Sequence, residues 1–100
     1  MANIEDIWET LSLDERQLCE SAMTKYNGNT WWKTVDLVKL AVYQVFEDVL
    51  LADFSNYREG LKMILGREVA PVELHLDNVR YLRREVQKAT RERYLEAVNN

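Results

Sequence analysis

Apolar residues recur along this chain at the three- and four-residue intervals of amphipathic helices. Ile4, Ile7, Trp8 and Leu11 follow an Asn3/Asp6 cap pair, which predicts a short helix over 4–11 with Trp8 as its anchor. Ser12 and Glu15 make an S-x-x-E capping box, in which hydroxyl and carboxylate each satisfy a backbone N–H left over at a helix start. A second helix therefore opens at Leu13 and buries Leu18, Cys19, Ala22, Met23 and Tyr26. It should end at Asn27 and Gly28, because glycine accepts the left-handed backbone of a helix end.

Asn29 or Thr30 then caps a third helix over about 31–53. Between Val35 and Leu51 apolar residues take most of its circumference, with Asp36, Lys39 and Glu47 on a narrow polar strip. A helix apolar nearly all round is covered on several sides, so this one is expected at the centre. Phe54 and Ser55 break the run, and Ser55 caps a fourth helix through Tyr57, Leu61, Ile64 and Leu65 that Gly66 stops. Gly60 inside it costs up to ~1 kcal/mol relative to alanine, so either two backbones pack closely there or the segment is mobile. After an extended stretch from Arg67 to Ala70, Pro71 opens a last helix to about residue 98. Its apolar stripe is Val72, His75, Leu76, Val79, Leu82, Val86 and Ala89.

With only three glycines and one proline, and with 47% of residues hydrophobic and 30% charged, local preference and the means to close a core agree. The expected fold is all-α: a single compact domain of four to five helices over residues 1–100, packed around the central apolar helix (about 31–53), with a long C-terminal amphipathic helix (about 71–98). The stretch from Val35 to Ala52 is the most apolar, but Asp36, Lys39, Gln44, Glu47 and Asp48 interrupt it, so no membrane span is expected. The acidic N-terminus lacks the basic and apolar segments of a signal peptide, and a lone Cys19 forms no disulfide framework; both point to a cytoplasmic setting.

Charge is segregated. Residues 1–24 hold six acidic groups against Arg16, a local charge of −5, whereas residues 78–93 hold six basic groups against Glu85 and Glu92, a local +4 on a chain whose net charge is −4. On the last helix Arg80, Arg84, Gln87, Lys88 and Arg91 gather on one flank. Like charges at helical spacing repel, so something anionic is expected opposite them. The first expectation is internal: the acidic first two helices pack beside the basic last one. The next is an acidic surface on another protein or on a second copy of this one. The third is the phosphate backbone of a nucleic acid, which the acidic remainder of the chain would repel.

Within ILGREVAPVELHLDNVRYLRREV, the part VELHLDNVRYLRREV resembles the recognition-helix stretch of the response-regulator winged-helix family. The likeness covers about a fifth of the chain, and the hairpin wing of that family is missing, since the chain stays helical after Val86. No family membership follows.

Chemistry is sparse. His75 sits on an apolar stripe, and Cys19 reads as a small buried hydrophobe. No nucleophile turn, glycine-rich phosphate loop or H-E-x-x-H stretch occurs, so no catalytic residue, cofactor or metal site is expected. A small-molecule cavity beside the central helix is a remote third class. Tryptophan is common at binding hot spots, and Trp31 and Trp32 leave a helix about 100° apart, so one is expected in the core and the other at a rim where a partner touches. The function expected is that of a non-enzymatic regulatory or adaptor protein acting by protein–protein binding, also with itself as a homodimer. The alternative is a nucleic-acid-binding regulator using Arg80, Arg84, Lys88 and Arg91.

Overall fold

In the computed structural model the backbone is described for residues 3–25 and 30–99, with side chains through Arg91. Every regular element among them is helical. A 3-10 helix, Ile4–Thr10, leads into α1 (Leu13–Met23). A single 3-10 turn, Trp31–Lys33, precedes α2 (Leu37–Val45). Then come α3 (Phe54–Leu65), a 3-10 turn at Pro71–Leu74, and α4 (Val79–Asn99).

The caps anticipated from the first 15 residues form. Asn3 and Asp6 close a reciprocal box, and so do Ser12 and Glu15, whose carboxylate the Ser12 N–H and hydroxyl hold below the usual range. Tyr26, Asn27, Gly28 and Asn29, expected to end one helix and start the next, lie outside the described residues. Thr30 precedes Trp31 but makes no side-chain cap bond.

The central apolar run is not one helix over 31–53. Asp36 caps a fresh start by accepting from Lys39 N (3.1 Å), and Thr34 Oγ1 accepts from Asp36 N (3.3 Å). At the other end Gln44 folds back, and its Oε1 takes Leu51 N (2.9 Å) and Ala52 N (3.0 Å) while its Nε2 donates to Val49 O (2.8 Å). One buried amide thus does for residues 49–52 what continued helix would have done, and the chain reaches Asp53 already turned. Asp53, not Ser55, caps α3 by accepting from Asn56 N.

Two helices can approach closely only where side chains are small, and α2 and α3 share the broadest interface of the fold. Gly60 of α3 lies against the Leu37 carbonyl and Ala41, which decides between close packing and mobility in favour of packing. Leu40, Val45, Leu51, Leu61, Leu82 and Val86 fill one contiguous core with Ile4, Cys19, Ala22 and both central tryptophans. Burial, assisted by the Glu15 charge, pushes the Cys19 thiol up. Ile4 N donates to Leu51 O at 2.8 Å, which ties the N-terminal 3-10 helix to the stretch that Gln44 organises.

The last helix is also interrupted. Glu73 accepts from Ala70 N (2.8 Å) and from both Nη atoms of Arg67, contacts that hold its carboxyl below the ordinary range. Asn78 Nδ2 donates to Val72 O, and the His75 carbonyl accepts from Val79 N to begin α4. His75 and Leu76 therefore fall in the turn and are exposed, not on a buried stripe. Leu18 likewise faces solvent, while its neighbours Cys19 and Ala22 are buried. Arg67 also bridges to Glu85 (2.8 Å), fastening the Pro71–Leu74 turn to α4. After Val86 the backbone continues helical to Asn99, so no hairpin wing follows.

Candidate interaction surfaces

On α4 the seam of Val79, Leu82 and Val86 faces the core. At about 100° per residue, Arg80, Arg84, Lys88 and Arg91 point roughly 130–170° away from that seam. The basic group is therefore an outward face and not a flank, and all four residues are exposed. From Arg80 to Arg91 the stripe runs about 16 Å at ~1.5 Å per residue.

The other charged side chains of α4 hold the fold together. Arg83 donates from Nε to Val45 O (2.6 Å), capping the end of α2, and from Nη2 to Asp48 Oδ1 (2.9 Å). Glu85 receives Arg67. Arg80 stacks over its neighbour Tyr81, 4.9 Å from the ring centroid, with Nη2 donating to the phenol oxygen at 3.1 Å. Arg84, Lys88 and Arg91 have no ion pair among the described residues, whereas Arg16, Lys25, Lys33, Lys62, Arg67 and Arg83 each have one. The expected internal pairing does not form: no ion pair of the described residues joins the first 24 residues to α4. The acidic N-terminal elements pack instead on the side of the core where the Trp31–Lys33 turn lies.

The tryptophans correct a second expectation. Trp31 and Trp32 are both 4% exposed, so neither stands at a rim. Their rings meet edge to face at 6.0 Å, and Trp31 meets Tyr43 in the same way. A 3-10 turn bounded by α1 and α2 covers both sides, which a continuous helix would not have allowed. Trp31 Nε1 donates to Ala22 O at 3.1 Å, whereas Trp32 Nε1 is buried without an acceptor. Trp31→Phe and Trp32→Phe lose the same ring volume, but only the first breaks a hydrogen bond. Trp31→Phe is expected to cost about 1 kcal/mol more in chemical denaturation. Equal losses would mean that the Ala22 bond contributes nothing.

Trp32 does reach one surface feature. With Trp8 and Met23 it lines a groove of about 470 Å³ whose other walls are Glu5, Glu9 and Glu20. Two cations of the chain already lie near these rings. Lys33 Nζ is 5.9 Å from the Trp32 centroid and 2.7 Å from Glu5; the Arg16 guanidinium is 5.9 Å from the Trp8 centroid and 3.6 Å from Glu9. Glu20 has no ion pair among the described residues. Sequence reading registered the acidity of this segment but not the groove, because its walls come from three elements that meet only in the fold.

A smaller cavity of about 110 Å³ is lined by Glu47, Asp48 and Tyr57 among apolar side chains. Glu47, expected on a solvent strip, is buried; one carboxylate oxygen accepts from Lys25 (3.0 Å) and the other has no partner. Burial pushes the Tyr57 phenol well up, against the opposing Arg83 charge. No histidine or cysteine lines this cavity, and no group of three metal-ligating side chains occurs among the described residues. No helix of the described residues is long and apolar enough to cross a membrane. Comparison with protein-family models, curated proteins and solved structures finds no match to this chain.

Proposed function

We propose that this chain is a non-enzymatic protein-binding module of regulatory or adaptor type, which grips an acidic protein surface through the outward face of α4. The observation that carries the reading is the contrast in partnering: six cations are paired within the fold, while Arg84, Lys88 and Arg91 stand exposed in a row without a counter-charge among the described residues. Like charges at this spacing weaken a helix by a few tenths of a kcal/mol, a cost that an anionic partner reverses. The face is a rigid helix with an aromatic residue, Tyr81, half exposed at its start, and such aromatic and arginine contacts are frequent at protein interfaces. A buried, unpaired Cys19 fits a reducing, cytoplasmic setting.

Nucleic acid offers the other anionic surface. Its binding would weaken steeply with salt, log K falling by roughly 0.9 per phosphate contact for each decade of salt. We expect no DNA or RNA binding even at low salt, because the acidic remainder of the chain repels the same backbone. The test for the protein partner is affinity purification from the native cell with the wild-type chain and with Arg84→Glu/Arg91→Glu. The variant should keep its melting temperature within a few degrees and lose the acidic partner. Unchanged capture would sink the assignment to this face.

A further inference from the structure

Two exposed surfaces of opposite charge sit on this one chain and do not meet within it. We propose that a second copy supplies the missing counterpart: the Arg80, Arg84, Lys88 and Arg91 stripe of one copy lies along the groove of Trp8, Met23 and Trp32, walled by Glu5, Glu9 and Glu20, of the other. This rests on the reading of α4 as a protein-binding face and names its partner.

Charge complementarity is the first argument. The segment that builds most of the groove carries a local −5 and the α4 segment a local +4. The net charge of −4 on each copy opposes association only weakly, because at physiological salt charges farther apart than about 8 Å are screened. What decides the contact is the pair of faces that touch.

The groove is also built for this chemistry. A guanidinium and an ammonium from the chain itself already lie 5.9 Å from its two rings, so these aromatic surfaces tolerate cations alongside carboxylates. The aliphatic stems of arginine and lysine would cover the apolar parts of Trp8 and Met23 while their heads reach the walls. Two carboxylates remain accessible for new pairs. Glu20 has no ion pair among the described residues, and Glu9 is 93% exposed and held by Arg16 only at 3.6 Å. If each copy gives its stripe and receives the other's, the contact is two-fold and growth stops at a dimer.

The test is sedimentation or light scattering of the full chain over a range of concentrations and salt. The wild type should self-associate reversibly, with a dissociation constant that rises more than tenfold from low to high salt. Arg84→Glu/Arg91→Glu and Glu9→Lys/Glu20→Lys should each be monomeric alone, since each then faces itself with like charges. Mixed in equal amounts they should associate, because the acidified stripe of one matches the basified groove of the other and the native faces match as well. Glu20 lies in the last turn of α1, where the helix dipole favours a cation, so the lysine there does not threaten the fold. Should either charge-reversal variant lose its helical signal, Arg84→Gln/Arg91→Gln and Glu9→Gln/Glu20→Gln replace them, each weakening association several-fold.

A wild type that stays monomeric at every concentration in low salt overturns the proposal, as does association that survives either variant or a mixture that fails to associate. These failures separate from failure of the broader reading. A monomeric wild type whose Arg84→Glu/Arg91→Glu variant still loses capture by an acidic protein removes only the second copy. Unchanged capture removes both.

Discussion

Alanine at position 60 is expected to destabilise the fold by about 2–4 kcal/mol, although intrinsic helix preference taken alone favours alanine over glycine by roughly 1 kcal/mol. Packing reverses the sign. A Cβ built at Gly60 would overlap the Leu37 carbonyl oxygen and come within 2.7 Å of the Ala41 Cβ. One of those neighbours is backbone and the other is a methyl fixed to backbone, so no side chain can swing away; α2 and α3 must separate. The interface lost is the broadest in the molecule, with Leu40 and Leu61 fully buried nearby. Urea denaturation with an unchanged slope and a lower midpoint is the expected result. An alanine variant as stable as the parent would show that the two helices do not approach this closely.

Replacing Gln44 with leucine is expected to cost about 3–5 kcal/mol, since each buried backbone group left without a partner costs about 1–3 kcal/mol and this change orphans three. They are the N–H groups of Leu51 and Ala52 and the carbonyl of Val49. Leucine matches the shape of glutamine but supplies none of the bonds. Hydrogen exchange should quicken first at the amides of Leu51 and Ala52, before the global transition. The effect extends to the groove, because Ile4 hangs from the Leu51 carbonyl and carries with it the 3-10 helix bearing Glu5, Trp8 and Glu9. Self-association is therefore expected to weaken in this variant even at temperatures where most of it remains folded. If the melting temperature moves by only a degree or two, residues 49–52 do not depend on this side chain.

The all-helical architecture was legible in the sequence because the caps and the apolar spacing of the first 25 residues act locally. The same holds for Gly66, whose φ of +70° closes α3. What escaped was where the chain leaves a helix for a tertiary reason. Nothing in the spacing of residues 31–53 announces that Gln44 will fold back on residues 49–52, because a polar residue in an apolar helix reads equally well as solvent-facing. The break at residues 75–78 was hidden in a similar way: Val72, His75, Leu76 and Val79 keep the helical interval, but Asn78 takes the Val72 carbonyl and turns the chain. The basic residues of α4 were legible as a group, while their lack of internal partners was not, because the acidic segment expected opposite them packs elsewhere. Both tryptophans went to the core for the same reason that the long helix did not form: a 3-10 turn between α1 and α2 can cover two rings at once.

Cys19 has a practical bearing on all of this. Its sulfur is enclosed by the core, and its thiol is held in the unreactive protonated form by burial and by Glu15. An alkylating reagent reaches it only when α1 lifts away, so the rate of covalent labelling of the unaltered chain times that opening. Since α1 also contributes Glu20 and Met23 to the groove, a second copy seated there would hold α1 down and slow the labelling. The chain thus carries a native chemical clock for the occupancy of its own acidic face.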